Sequence, residues 1–133
     1  MKKSHIFSLI RLIYFTFFVL LCSCESKVKT SDIRLGGEHG EEFLYKNKPY
    51  TGRIWSMDGK SASIEVSDGR PVKWILFHDN GEPAIVQTDS LGEELMKYYD
   101  INGYEMREDE WESKYGGNIK KKEETLFKEL YPE

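Results

Sequence analysis

The sequence predicts a mainly β protein: a single antiparallel meander of hairpin repeats with a period of about 22 residues, closed by one C-terminal α-helix. Three observations carry this prediction. The dipeptides Asp58-Gly59, Asn80-Gly81 and Asn102-Gly103 recur at intervals of 22 residues, and Asp-Gly and Asn-Gly are the pairs that tight two-residue hairpin turns favour. An aromatic residue stands at one fixed distance ahead of each pair: Trp55, Phe77 and Tyr99. From Asn118 onward the apolar spacing changes from alternation to that of a helix.

Residues 1–23 differ in kind from the rest. They carry Lys2, Lys3 and Arg11, no acidic residue, and the apolar run Leu12 to Leu21. A basic start, a short apolar core and small residues behind it predict a secretory signal. The run is half the roughly 20 residues that a spanning helix needs. The whole chain has a net charge of −4, and the segment contributes three positive charges, so its removal leaves −7. An acidic domain has no cationic excess to neutralise phosphates, so nucleic acid is not an expected partner.

Residues 24–41 are polar, contain glycine and lack an apolar period, which predicts a flexible tether. Residues 42–112 are the hairpin region. Ser61 to Val66 alternates small or polar residues with apolar ones, the period of a strand with one buried face. Val72 to Phe77 is apolar on both faces, as in a central strand, and Glu94 to Tyr99 with Tyr104 to Glu110 make a third, more charged pair. Asp68-Gly69 and Leu91-Gly92 lie about midway between the repeating pairs and turn the chain back. Pro71 suits a strand opening, and Pro83 an edge or a bulge. About 22 residues make two short strands and two turns, so successive hairpins pair edge to edge and equivalent aromatics align on one face. Residues 113–133 hold the helix: Ile119, Leu126, Phe127 and Leu130 fall on one side, and Asn118, after Gly116-Gly117, is the expected N-cap.

Two resemblances add to this reading. The only cysteines are Cys22 and Cys24, and Leu21-Cys22-Ser23-Cys24 resembles the lipobox of bacterial lipoproteins. That resemblance implies lipid on Cys24, cleavage ahead of it, and a mature chain without free thiol or disulfide. Several acyl chains make such anchoring durable. Glu25 stands where the best-known sorting rule has an aspartate for inner-membrane retention, so the expected location is the cell envelope, at the outer membrane of a Gram-negative host. Further on, Pro49-Tyr50-Thr51-Gly52-Arg53 and Trp74-Ile75-Leu76-Phe77-His78-Asp79-Asn80-Gly81 resemble MORN-like repeats, and Met96 to Gly103 repeats the frame with Met96 in the place of tryptophan. Bacterial sequences of this type are often labelled YwqK-type antitoxins. The resemblance covers about residues 43–106 and implies binding to protein partners or lipid head groups, with no catalytic residue set.

The expected function is therefore a membrane-tethered binding module that presents a β-sheet face to an envelope protein, possessing an immunity-like role as one specific form. The alternative is a structural or glycan-binding envelope lipoprotein. No enzymatic activity and no cofactor are expected. The binding candidates are Trp55, Trp74, Phe77 and Tyr99, because aromatic rings bury large areas and anchor interfaces; packing within the sheet is the competing role for the same rings. His39 has no second histidine near it to complete a metal site. His78 and Asp79 are adjacent, and adjacent strand residues point to opposite faces. The acidic cluster Glu105, Glu108, Asp109, Glu110 and Glu112 lacks the spacing of a calcium loop and reads as a solvated face. Lys120-Lys121-Lys122 reads as a solvated first helical turn.

Overall fold

Six hairpin-linked strands along residues 52–106 build the centre of the molecule, an antiparallel meander whose strands β5 and β6 are covered to some degree on both faces. The computed structural model describes residues 26–90 and 93–132, so the signal segment, Cys24 and the Leu91-Gly92 turn lie outside the described residues. The meander consists of β4 (Gly52–Trp55), β5 (Ala62–Ser67), β6 (Arg70–Phe77), β7 (Pro83–Ser90), β8 (Glu93–Tyr99) and β9 (Glu105–Met106), each paired with the next. A smaller antiparallel sheet precedes it, made of β1 (Ile33–Gly36), β2 (Glu42–Tyr45) and β3 (Lys48–Pro49). The helix α1 (Glu108–Leu130) closes the fold. The mainly β class, the antiparallel meander and the C-terminal helix are as the sequence predicts.

The meander starts at Gly52 rather than at residue 42. Pro49 has no N–H with which to extend a ladder, and Gly52 adopts a φ of +146°, which breaks the extended path between β3 and β4. The small sheet is nonetheless joined to the large one. Phe43 N–H donates to Gly69 O and Gly69 N–H donates to Tyr50 O, both at 2.8 Å, and the Phe43 ring packs edge-on against Trp74 at 6.4 Å. Both prolines sit at strand openings beside register shifts: Pro71 pairs with Val66 next to the irregularity at Glu65/Val66, and Pro83 pairs with Phe77 next to that at Leu76/Phe77.

The described turns fall into two kinds, one at each end of the meander. Asp68-Gly69 is a true two-residue turn, with φ of +49° and +80°. The three repeating pairs are not. Asp58, Asn80 and Asn102 keep negative φ, and only Gly59, Gly81 and Gly103 are positive, at +73°, +89° and +88°. Each glycine N–H instead closes a four-residue turn, donating to Ser56 O, His78 O and Asp100 O respectively. The side chain before or within each turn explains the longer loop. Asp58 accepts from Lys60 N–H and Ser61 N–H, Asn80 from Glu82 N–H, and Asp100 from Asn102 N–H and Tyr104 N–H. Such local side-chain acceptors compete with the tighter turn.

The helix begins at Glu108 and runs through Gly116-Gly117, so Arg107, not Asn118, precedes it. Glu108, Asp109 and Glu110 occupy the first turn, where negative charge complements the helix dipole. Two internal glycines cost about 1 kcal/mol each. Burial of Trp111, Ile119, Leu126 and Leu130 against the sheet outweighs that cost. The early start also truncates the expected strand Tyr104 to Glu110 to the two residues of β9. The described part of the expected tether, from Ser26 to Glu41, is likewise not free over its length. Thr30–Asp32 forms one 3-10 turn, β1 pairs with β2 across four residues, and Trp55 N–H donates to Val28 O at 2.8 Å. Ile33 and Leu35 pack against the core, which supplies the apolar burial that order requires.

Candidate functional site

The helix fastens the three repeating loops one after another. Trp111 Nε1–H donates to Tyr99 O at 3.1 Å, ahead of the third loop. Lys122 Nζ donates to Phe77 O and pairs with Asp79, both at 2.7 Å, at the second. Glu129 accepts from Met57 N–H at 3.1 Å in the first, and from Thr30 Oγ1 at 2.9 Å in the N-terminal segment. The helix thus runs back across the hairpins, giving at least one polar contact to each 22-residue unit. Lys122 lies mid-helix with its side chain only 14 % exposed, so the lysine triplet is not a solvated first turn. Its pairing holds the Asp79 carboxyl below its ordinary range.

The same arrangement engages the adjacent pair His78 and Asp79, whose side chains are suited to acid–base work. His78 is buried, with Nε2 2.8 Å from Tyr99 O and its ring edge-on to Tyr115 at 4.8 Å. Asp79 turns to Lys122 instead of the imidazole. Asp58 is a structural carboxylate. Desolvation pushes its carboxyl upward, but hydrogen bonds from Ser56, Ser61 and the N–H groups of Lys60 and Ser61 outweigh it and hold the group well below the ordinary carboxylate range. His39 is exposed in the β1–β2 connection. Among the described residues no group of three or more His, Cys, Asp or Glu side chains is arranged to hold a metal ion.

The four aromatic candidates divide between opposite faces of the meander. Ile54, Leu76 and Tyr98 belong to the helix-side core, so alternation places Trp55, Phe77 and Tyr99 on the other, outer face. Trp55 and Phe77 stack at 5.6 Å with their planes 19° apart. Lys27 Nζ sits 4.1 Å above the Trp55 ring and the Arg53 guanidinium 5.6 Å from it. The Tyr99 carbonyl, rather than its ring, is what His78 and Trp111 engage. The outer face carries two cross-strand ranks, Trp55, Ser63, Ile75, Val86 and Lys97, and beside it Arg53, Glu65, Lys73, Thr88 and Leu95.

Trp74 stands on the helix side. It stacks on Phe127 at 6.2 Å, and Phe127 on Tyr131 at 6.4 Å. Between the helix and the sheet, Trp74, Leu76, Gln87, Glu123, Leu126 and Phe127 line a groove of about 190 Å³. Phe127 and Tyr131 are 46 % and 51 % exposed, as is Met96 at 46 % in the rank that continues from Trp74 and Gln87. Phe127, Tyr131 and Lys27 are site residues that the repeat pattern does not single out. The only signal for Phe127 and Tyr131 is their i, i+4 spacing in the terminal helix.

The fold and these surfaces define a helix-fastened β-meander with an aromatic, basic face on one side and an aromatic groove on the other. No protein-family model, curated protein or solved structure matches this chain.

Proposed function

We propose that the chain is a lipid-anchored binding module of the cell envelope, held by acyl chains on Cys24, with MORN-like hairpins that present an aromatic groove to a protein partner. The observation that carries this reading is the stacked series Trp74, Phe127 and Tyr131 beside the groove, with Phe127 and Tyr131 half exposed. Large rings at the rim of a concave surface are what protein interfaces use as anchors. Binding is favoured over catalysis because His78 and Asp79, the two residues suited to acid–base work, are each engaged by structural partners. Neutralising a toxin delivered to the envelope is the specific form of this role that the repeat resemblance suggests, since a domain anchored outside the cytoplasm does not meet a cytoplasmic toxin.

Two measurements test the reading. Metabolic labelling with a fatty-acid analogue is expected to mark the wild type and not Cys24→Ala; equal labelling rejects the anchor. Affinity capture from cell envelopes is expected to recover a protein with the wild type and to lose it with Phe127→Glu, which changes an exposed side chain. Retention of an unchanged partner by Phe127→Glu rejects the groove, and retention on purified envelope glycan instead of protein favours the glycan-binding alternative.

A further inference from the structure

We infer that the outer face of the meander lies directly on an anionic lipid surface. This rests on the lipid anchor at Cys24 and adds to it an orientation. The described chain is already engaged at Lys27, whose ammonium donates to Gly59 O at 2.9 Å and covers the Trp55 ring, and at Val28, whose carbonyl accepts from Trp55 N–H. Cys24 precedes Lys27 by three residues. Covalent geometry limits that connection to about 11 Å even when fully extended. A domain held on so short a leash cannot stand clear of the head groups, so part of its surface must meet them.

Charge selects which part. The leash leads to the edge strand β4, where the inner and outer faces meet. The mature chain carries −7, yet among the side chains the structure describes the outer face gathers Lys27, Arg53, Lys73 and Lys97 around Trp55 and Phe77, against Glu65, which Arg53 neutralises at 2.7 Å, and Glu105 at the far edge. The helix side exposes six acidic residues between Glu108 and Glu124, but Arg107, Lys114, Lys120, Lys121 and Lys128 are exposed with them, so its charges nearly cancel. Anionic head groups attract the first set, and the second offers them no comparable cationic excess. Tryptophan, with an apolar body and a polar edge, suits the head-group level. Leu95, 56 % exposed in the Lys73 and Thr88 rank, adds an apolar contact on this face. With the outer face down, the Trp74–Phe127 groove points away from the membrane, toward a partner.

The test uses the full-length, processed protein in vesicles of phosphatidylethanolamine and phosphatidylglycerol. The anchor consumes the thiol of Cys24, so a cysteine introduced by Leu95→Cys or Glu124→Cys gives a single site for a fluorescent label. Acrylamide quenching of the label at Leu95→Cys is expected to fall several-fold below that at Glu124→Cys, and to recover when Lys73→Glu and Lys97→Glu are added. Equal quenching at the two sites, with fatty-acid label present on the protein, overturns the orientation while the anchor stands. Absence of fatty-acid label overturns both. Protection of Leu95→Cys in whole cells but not on these protein-free vesicles also overturns it, since a protein then occupies the face.

Discussion

The two faces of the meander share one alternating pattern, the same strands and the same ladder of hydrogen bonds, yet they do different work. On the helix side Ile54 and Ile64 are fully buried and Trp111, Ile119 and Leu126 are nearly so. On the outer side Ser63 and Ile75 are buried, but the aromatic pair Trp55 and Phe77 is only half buried, Leu95 is exposed, and Lys27 and Arg53 lie against the Trp55 ring. The difference lies in where the helix lands, not in the strands. A strand residue joins the main core when a second layer covers it, whereas in the two outer ranks only Ser63 and Ile75 are buried.

Breaking the covered face is expected to have the largest effect. Trp111→Ala removes the packing on Tyr98 and the hydrogen bond to Tyr99 O, and should cost about 3–5 kcal/mol in urea unfolding, the range for large aromatic truncations. A cost below that of a surface substitution would show that the helix is dispensable to the meander. Next comes the first repeating loop. Asp58→Ala removes the acceptor that four hydrogen-bond donors share, and should cost about 1–2 kcal/mol.

That carboxylate also sets a pH dependence. Its folded pKa lies below the unfolded value of 3.8, so its stabilisation is complete above that value and is lost as pH falls through and below it. Thermal unfolding from pH 5 downward should therefore be less steeply pH-dependent in Asp58→Asn than in the wild type; identical slopes would remove Asp58 from the account.

Smaller effects sharpen the contrast. A Cβ at Gly117 meets no atom within 4 Å, in an exposed helical position. Gly117→Ala is expected to raise stability by about 0.5–1 kcal/mol, visible as a higher thermal midpoint. On the outer face Leu95→Ser should change stability by no more than about 0.5 kcal/mol. A loss comparable to that of Trp111→Ala would mean that the outer face is core as well, and the comparison would fail.

Much of the fold was legible because β-structure writes its period locally. The alternation in Ser61 to Val66 and the fixed distance from Trp55, Phe77 and Tyr99 to their glycines located strands and loops without any tertiary information. The turn type was not legible. Asp58, Asn80 and Asp100 each accept from backbone N–H groups two to four residues on, and those bonds set a wider loop than an isolated Asn-Gly pair suggests. The helix start was hidden for a different reason. Gly116-Gly117 is a local stop signal, and only the burial of Trp111 on the sheet makes the chain helical before it. The site was half visible: all four aromatics could be named, but their division between faces depends on strand parity, and Trp74 finds Phe127 only through the helix. Residues 30–36 looked like linker because their few apolar side chains have no partner until β2 and the helix arrive.

By itself the sequence determined the repeat length, the alternating strands, the aromatic positions and the presence of a terminal helix, since each depends on spacing between near neighbours in the chain. Only the tertiary structure decided where the helix begins, which face it seals, and that Lys122, Glu129 and Trp111 each fasten one loop. Those outcomes depend on contacts between residues tens of positions apart, and such contacts leave no periodic trace along the chain.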